Sequence, residues 1–378
     1  MIGTRTDGFI DQWPLPGPVT PSLRGRIFTL PADTAGRTAL VGLAPDRDAD
    51  GAILETANML RIFDIADPRH VYERAPAMKF DGAEYLSGVA AISDDGQVAA
   101  AGTANGTVYT WDLSQPVPQR TGEPIAGATD SFVGALAMTP HGELLFAASS
   151  DSMKVTVIDR SDTSRPRPVR MLDNGDLVQL LAVSSDGQLL AVATATTINI
   201  WDLGGGVEAI HQIGTLGGFK DTISVVEFSG RLLAAGSEDK TIRLWNLTYP
   251  SATQEVAQVS GPAGAVMSSL TINTQATRMA AGIGNDQIWV WDITNPTVPT
   301  EFAVLYSYGS RVNDVAYGPN GDSFTAGGPD RTLRTWSTDP DAVTEQLCSH
   351  TAAILTRDEW TQHLPGVPFT APCPAAAS

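Results

Sequence analysis

Residues 221–247, DTISVVEFSGRLLAAGSEDKTIRLWNL, contain three strand-like segments separated by two short turns. The first segment, Thr222–Phe228, alternates apolar and polar residues, as a half-buried strand does. The second, Leu232–Gly236, is short and rich in small residues, and the third, Thr241–Trp245, ends at the pair Trp245-Asn246. The stretch therefore predicts a small antiparallel sheet.

The ending of the third segment recurs seven times along the chain, as an aromatic or aliphatic residue followed by a small polar one. The pairs are Phe63-Asp64, Trp111-Asp112, Ile158-Asp159, Trp201-Asp202, Trp245-Asn246, Trp291-Asp292 and Trp336-Ser337. They are separated by 48, 47, 43, 44, 46 and 45 residues. A nearly constant period of this size predicts a repeat architecture and overrides any division of the chain by length alone.

Each repeat has two largely apolar faces that it cannot bury alone. Copies must therefore pack side by side, and closing them into a ring leaves few free sheet edges. Turn sequences such as Asn320-Gly321 supply positive backbone angles between the strands. Alanine and glycine in the second strand suit a crowded layer where neighbouring sheets face each other.

The pattern resembles the WD40 family of β-propellers, in which a Trp-Asp pair ends the third of four strands in each blade. The resemblance covers roughly residues 20–338 and implies an all-β, seven-bladed propeller. In that family a Gly-His pair precedes the first strand, and its His joins a Ser/Thr, an Asp and the Trp in a buried network. In this chain no histidine precedes a first strand. Asp239 and Asp330 occupy the position of the network's Asp in their repeats, and Asn105 occupies it in another. Ala235 occupies the Ser/Thr position of its repeat. We expect packing to replace most of this network.

The two ends of the chain complete the domain organisation. The last repeat lacks a fourth strand, and we expect residues 8–15 to supply it, which gives a propeller over residues 1–338.

Residues 339–378 predict a tail with two short helices that packs on the propeller. The second helix is introduced by the capping box Thr356-Arg-Asp-Glu359. The tail resembles the ends of bacterial, especially actinobacterial, WD40 signalling proteins, which often carry an upstream ATPase, kinase or protease. No phosphate-binding sequence of such a module is present.

Composition restricts the partners. Asp and Glu outnumber Lys and Arg by 42 to 24, giving a formal charge of −18, which disfavours nucleic acid and anionic membrane surfaces. No apolar stretch is long enough to span a bilayer, and the N-terminus lacks a secretory signal, so we expect a cytoplasmic protein or one cut from a longer precursor. Cys348 and Cys373 both lie near the C-terminus, and they are either two free thiols or joined in a single disulfide bond within the tail.

One segment partly fits a metal site. Asp46, Asp48, Asp50 and Gly51 match the start of a calcium-binding loop, but Ala57 replaces the glutamate required at its twelfth position. An acidic, solvated turn explains the segment better than calcium does. We predict no cofactor.

Catalytic motifs are absent from the sequence: there is no nucleophile elbow, no His-x-x-x-His pair and no dinucleotide fingerprint beyond an isolated Gly282-Ile-Gly284. We therefore predict a protein that is not an enzyme. The alternative is a propeller enzyme or small-ligand sensor that uses the central channel, because some seven-bladed propellers are enzymes. A deep polar pocket on the ring axis would favour that alternative.

The resemblance points to one face for binding. The family's protein-binding residues lie where each first strand begins, and the residues there are Tyr85, Phe132, Asp176, Asp221 and Arg311. Aromatic residues and arginine are the usual energetic anchors of interfaces, so Tyr85, Phe132 and Arg311 are the leading candidates. The sequence thus predicts a non-enzymatic scaffold or sensor of a bacterial signalling system, whose partner is another protein or an upstream module of its own chain.

Overall fold

Seven antiparallel sheets form the blades of a propeller in a computed structural model. The model describes residues 3–4, 10–11, 27–33, 36–43, 59–67, 70–81, 85–250, 253–260, 266–284, 286–306, 311–318 and 321–337. Strands within each sheet follow chain order from the inside of the ring outward. The predicted all-β, seven-bladed architecture is therefore confirmed.

Each blade is a meander, so its strands fall into four concentric sets. The inner strands are Ile27–Thr29, Leu86–Ile92, Ala135–Met138, Leu180–Val183, Ile223–Ser229, Met267–Ile272 and Asp314–Tyr317. The second strands are Thr38–Leu43, Val98–Thr103, Leu144–Ala148, Leu189–Ala193, Leu232–Ser237, Arg278–Ile283 and Ser323–Gly327. The third strands are Met59–Asp64, Val108–Asp112, Lys154–Asp159, Ile198–Asp202, Thr241–Asn246, Gln287–Asp292 and Leu333–Ser337. The outer strands are Tyr72–Glu73 with Met78–Lys79, Gln119–Arg120, Arg167–Asp173, His211–Leu216, Gln254–Ser260 and Thr300–Tyr306.

The polar residue of each repeated pair has a local structural role. Every third strand ends at that residue, and in blades 1 to 6 its side chain accepts a hydrogen bond from the backbone N–H two residues on. Asp and Asn suit this position because their short side chains can close such a turn. The pair thus marks both the end of a strand and the turn that leads to the outer strand.

The ring is held together by seven apolar clusters of described residues, one at each interface between neighbouring blades. Ile158, which replaces Trp in blade 3, is fully buried in the cluster between blades 2 and 3. Second-strand glycines admit close contact: a Cβ on Gly102 would lie 2.4 Å from Cβ of Val133 in the next blade. Burial of apolar surface between blades is therefore the main stabilising interaction, as expected for a ring with few polar contacts between sheets.

Blades 1 and 7 close the ring. Their shared cluster contains Leu30 and Phe63 from blade 1 and Ala316 and Leu333 from blade 7. Across the same interface the Leu30 N–H donates to Oδ2 of Asp314 at 2.7 Å. Side-chain packing and a hydrogen bond accepted by an aspartate carboxylate thus join the first blade to the last.

The predicted closing strand differs from the pairing observed. Within the described residues blade 7 has three strands, and Ile10–Asp11 pairs with Gly3–Thr4 instead of with Leu333–Ser337. The two short strands satisfy each other's backbone groups. The rest of segment 8–15 lies outside the described residues, as do the tail 339–378 with both cysteines and the acidic segment Asp46, Asp48 and Asp50.

Helix is almost absent from the residues that the structure describes. Val207–Ala209 forms a single turn of 3-10 helix between two strands of blade 4. In the part of the chain that the structure describes, no helix has the length and apolar character needed to cross a membrane.

Candidate functional site

All inner strands begin at the same face of the ring, which we call the upper face; the opposite face, where they end, is the lower face. The connections between blades and the hairpins between second and third strands lie on the upper face. Tyr85, Phe132, Asp176, Asp221 and Arg311 are all exposed there, in the loops of five different blades. The structure thus brings the five predicted residues to one surface around the channel mouth, although it does not bring them into mutual contact.

Besides Tyr85 and Phe132, three apolar side chains that the sequence analysis did not single out are exposed on the same face: Met153, Leu177 and Val266. Tyr85 (37% exposed), Phe132 (38%), Leu177 (39%), Val266 (44%) and Met153 (50%) all lie in or beside its loops. Tyr85, Phe132, Met153 and Leu177 belong to consecutive blades 2, 3 and 4, and we call them the apolar arc. Tyr85, Phe132 and Leu177 lie 47 and 45 residues apart in corresponding loops, so an alignment of the loops would have found Leu177 beside the predicted Asp176.

Backbone hydrogen bonds within blades and between neighbouring blades fix the loops that carry the arc; between blades 2 and 3, the Val133 N–H donates to the Thr103 carbonyl at 3.0 Å. The Ala104 N–H donates to the Tyr85 carbonyl at 2.8 Å, and the Asn174 N–H donates to the Met153 carbonyl at 2.8 Å. The Val178 N–H donates to the Ser152 carbonyl at 3.0 Å. Because each hairpin is bonded to the adjacent loop, the upper face is a pre-organised surface, which reduces the entropy lost on binding.

Hydroxyl groups take over part of the polar network that the missing histidine would form. In blade 3, Ser131 Oγ lies 2.6 Å from Ser149 Oγ and donates to Asp151 Oδ1 at 2.8 Å. In blade 5, the Lys220 N–H donates to Asp239 Oδ2 at 2.9 Å. The Trp201 Nε1 in blade 4 has no hydrogen-bond partner among the described residues, as expected where the network is absent. The prediction of a mostly missing network therefore holds for blade 4, while blades 3 and 5 anchor their loops by other groups.

The inner strands surround a central channel with a volume of about 930 Å³. The register of the inner strands places one residue of each blade at the same height along the channel. Six of these seven residues have small side chains: Pro31, Ala91, Ala137, Ala182, Thr271 and Ala316. Blade 5 contributes Glu227 at this level. An alignment of the inner strands of the seven repeats would have shown Glu227 as the one acidic residue at this position. The sequence analysis considered each repeat separately and did not identify it.

Carboxylic acids make up most of the ionisable side chains that line the channel. Burial raises the pKa of Glu227 to about 8, and the carboxylates of Asp314 and Asp94 act in the same direction. Burial also raises the pKa of Asp314 to about 6, against the hydrogen bonds that its carboxylate accepts from the Leu30 and Val315 N–H groups. Burial and the neighbouring Asp95 raise the pKa of Asp94 to about 6. Glu227 is therefore mostly protonated at neutral pH.

At the lower mouth of the channel, His141 contacts an aspartate. His141 Nδ1 lies 3.2 Å from Asp95 Oδ2, and this hydrogen bond raises the pKa of His141. Ser93 Oγ donates to the other oxygen of Asp95 at 2.6 Å, so the serine is bonded to the carboxylate and not to the imidazole. The imidazole therefore does not contact the serine oxygen, and Ser93 is fully buried, so the three side chains do not have the arrangement of a Ser-His-Asp triad. Within the described residues no group of His, Cys, Asp and Glu side chains could hold a metal ion.

Known proteins show the same repeats. The family described as WD domain, G-beta repeat matches residues 75–112, 211–246 and 300–337. Each range begins at or just before the outer strand of one blade and continues through the inner, second and third strands of the next blade. An uncharacterized WD repeat-containing protein of Synechocystis sp. is 28% identical over 49% of this chain and 52% of its own. The WD repeat-containing protein 26 homolog of Arabidopsis thaliana is 26% identical over 68% of this chain and 41% of its own. The chain thus spans about half or less of the length of these relatives.

A solved structure shares the fold. A chain in the crystal structure of the mitotic checkpoint complex superposes with a TM-score of 0.65 at 20% sequence identity, covering 89% of this chain and 96% of that one. This likeness concerns the fold alone. The WD40 repeat model thus matches three of the seven blades, and the solved structure shares the propeller fold.

Proposed function

We propose that this protein is a non-enzymatic platform that binds another protein on its upper face. The observation that carries the proposal is the row of exposed apolar side chains in the apolar arc, held on loops that are hydrogen-bonded from blade to blade. Partly exposed aromatic and aliphatic side chains gathered on one face are suited to contact another protein. The family supports the same role, since WD40 propellers typically bind other proteins.

We further propose that the partner belongs to a bacterial signalling system in the cytoplasm, either as a separate protein or as an upstream module of the same chain. The Synechocystis relative supports a bacterial setting. The formal charge of −18 supports a protein partner over nucleic acid, because phosphate groups would be repelled.

Capture of partners from a lysate tests the proposed face. The variant Tyr85→Ala/Phe132→Ala/Arg311→Ala should lose about tenfold or more of the captured partner, since aromatic residues and arginine supply most interface energy. The control variant Val117→Ala/Tyr249→Ala/Val298→Ala removes exposed side chains from lower-face loops and should capture normally. Unchanged capture by the first variant, with its folding verified, would exclude this face.

Ligand sensing in the channel is the second candidate, because the wall of the channel carries several carboxylic acids. When ionised, these acids would select a small cationic molecule such as an amine. At about pH 9, where Glu227 with its pKa of about 8 is ionised, a rise in melting temperature with added amine that disappears in Glu227→Gln would support this role. Equal rises in both proteins would exclude it.

A further inference from the structure

The apolar arc lies among carboxylates. Asp130, Asp151 and Asp176 are exposed in the same loops as Phe132, Met153 and Leu177. The described parts of the loops that lead into blades 2, 3 and 4, and of the upper-face hairpins of these blades, contain no lysine or arginine. Lys154 begins the third strand of blade 3 opposite Asp173 in the outer strand, and Lys220 lies in the next loop, which leads into blade 5. The surface therefore combines exposed apolar contacts with negative charge that nearby basic side chains do not balance.

Asp151 is a fixed charge on this surface. Hydrogen bonds from Ser149 and Ser131 hold its pKa below the usual range, so it stays ionised across the physiological range. The same bonds orient the carboxylate and tie the loop of Phe132 to the hairpin of Met153. Charge and apolar contact are thus positioned by one network.

The Phe132 ring is supported from below. A Cβ on Gly134 would lie 3.1 Å from Phe132 Cε2, so the ring lies directly over that glycine. An aromatic side chain that is partly exposed and yet packed against backbone can contribute to binding at a small cost in side-chain entropy.

We propose that the apolar arc binds a protein segment that carries apolar and basic side chains together. Its apolar side chains contact Phe132, Met153 and Leu177, while its lysine or arginine side chains pair with Asp130, Asp151 and Asp176. The inference rests on the proposed function and deepens it by naming the chemistry of the partner. An acidic segment and a second copy of this chain, with its charge of −18, would both be repelled.

Model peptides test the chemistry directly. The probes are three fluorescent peptides of about 16 residues, long enough to span the arc, which alternate Leu with Lys, Leu with Glu, and Ser with Lys. We expect the Leu/Lys peptide to bind most tightly and the Leu/Glu peptide not to bind. Phe132→Ser/Leu177→Ser should weaken binding of the Leu/Lys peptide about tenfold. Asp151→Asn/Asp176→Asn should weaken it about threefold or more and flatten its dependence on salt between about 50 and 200 mM.

The matched control is Val117→Ser/Tyr249→Ser, which alters exposed apolar residues on the lower face and should leave peptide binding unchanged. Equal binding of the Leu/Glu peptide, equal binding of the Ser/Lys peptide, or no effect of the arc variant would each overturn the proposal. If the partner-capture experiment succeeds while the Leu/Lys peptide fails to bind, the proposed function as a binding platform is supported and the proposed chemistry of the partner is contradicted. If both experiments fail, the upper face itself is excluded.

Discussion

Replacing Glu227 by glutamine is expected to stabilise the propeller at about pH 8 by about 2–4 kcal/mol and to have little effect at about pH 5. The folded-state pKa of Glu227, about 8, lies above its ordinary value of 4.5. The proton on Glu227 therefore stabilises the fold fully below about pH 4.5, and this contribution is lost as the pH rises through about 8. Glutamine cannot ionise and should not show the loss.

Urea unfolding of both proteins across this pH range measures the effect. The control is Glu238→Gln, which removes an exposed carboxyl from the same blade and should leave the pH profile of the wild type unchanged. The raised pKa values of Asp314 and Asp94, both about 6, act in the same direction, so the wild type should lose stability as the pH rises from about 4. Parallel pH profiles for wild type and Glu227→Gln would contradict the placement of Glu227 in the channel.

Adding one methyl group at Gly102 should destabilise the protein by about 2–4 kcal/mol. The new Cβ would lie 2.4 Å from Cβ and 2.6 Å from Cγ1 of Val133, so blades 2 and 3 would have to separate or the valine would have to leave its rotamer. Thermal or denaturant unfolding measures the loss.

Gly214→Ala provides the matched control for this substitution. Gly214 lies in the outer strand of blade 4, where the nearest atom to an added Cβ is the Pro250 carbonyl oxygen at 4.0 Å. Alanine there should be neutral or slightly stabilising. If the two alanine variants unfold alike, the close contact between blades cannot be the reason for glycine at position 102.

The fold was largely predictable because each repeat carries its own strand and turn signals. The predicted strands Thr222–Phe228, Leu232–Gly236 and Thr241–Trp245 differ by one residue at most from Ile223–Ser229, Leu232–Ser237 and Thr241–Asn246. The alternation of apolar and polar residues within each segment, together with the turn residues that flank it, is enough to place such a strand. The pairing of Ile10–Asp11 was not predictable in the same way, because the partner of an isolated short strand depends on tertiary contacts and not on its own pattern.

The candidate site was predictable only in part. The loop position of Tyr85 and Phe132 follows from the repeat, but their exposure beside Met153 and Leu177 depends on how neighbouring loops are hydrogen-bonded. The raised pKa of Glu227 depends on the closed ring, since Asp314 and Asp94 come from distant blades. A strand pattern read one repeat at a time contains no information on either arrangement.

Hydrogen–deuterium exchange with the captured partner bound tests the central claim, that the upper face is the binding surface, most directly. We expect protection in residues 129–134, 149–154 and 174–178, which carry Phe132, Met153 and Leu177. Protection in the lower-face loops around Val117 and Tyr249, with the upper-face loops unchanged, would contradict the claim.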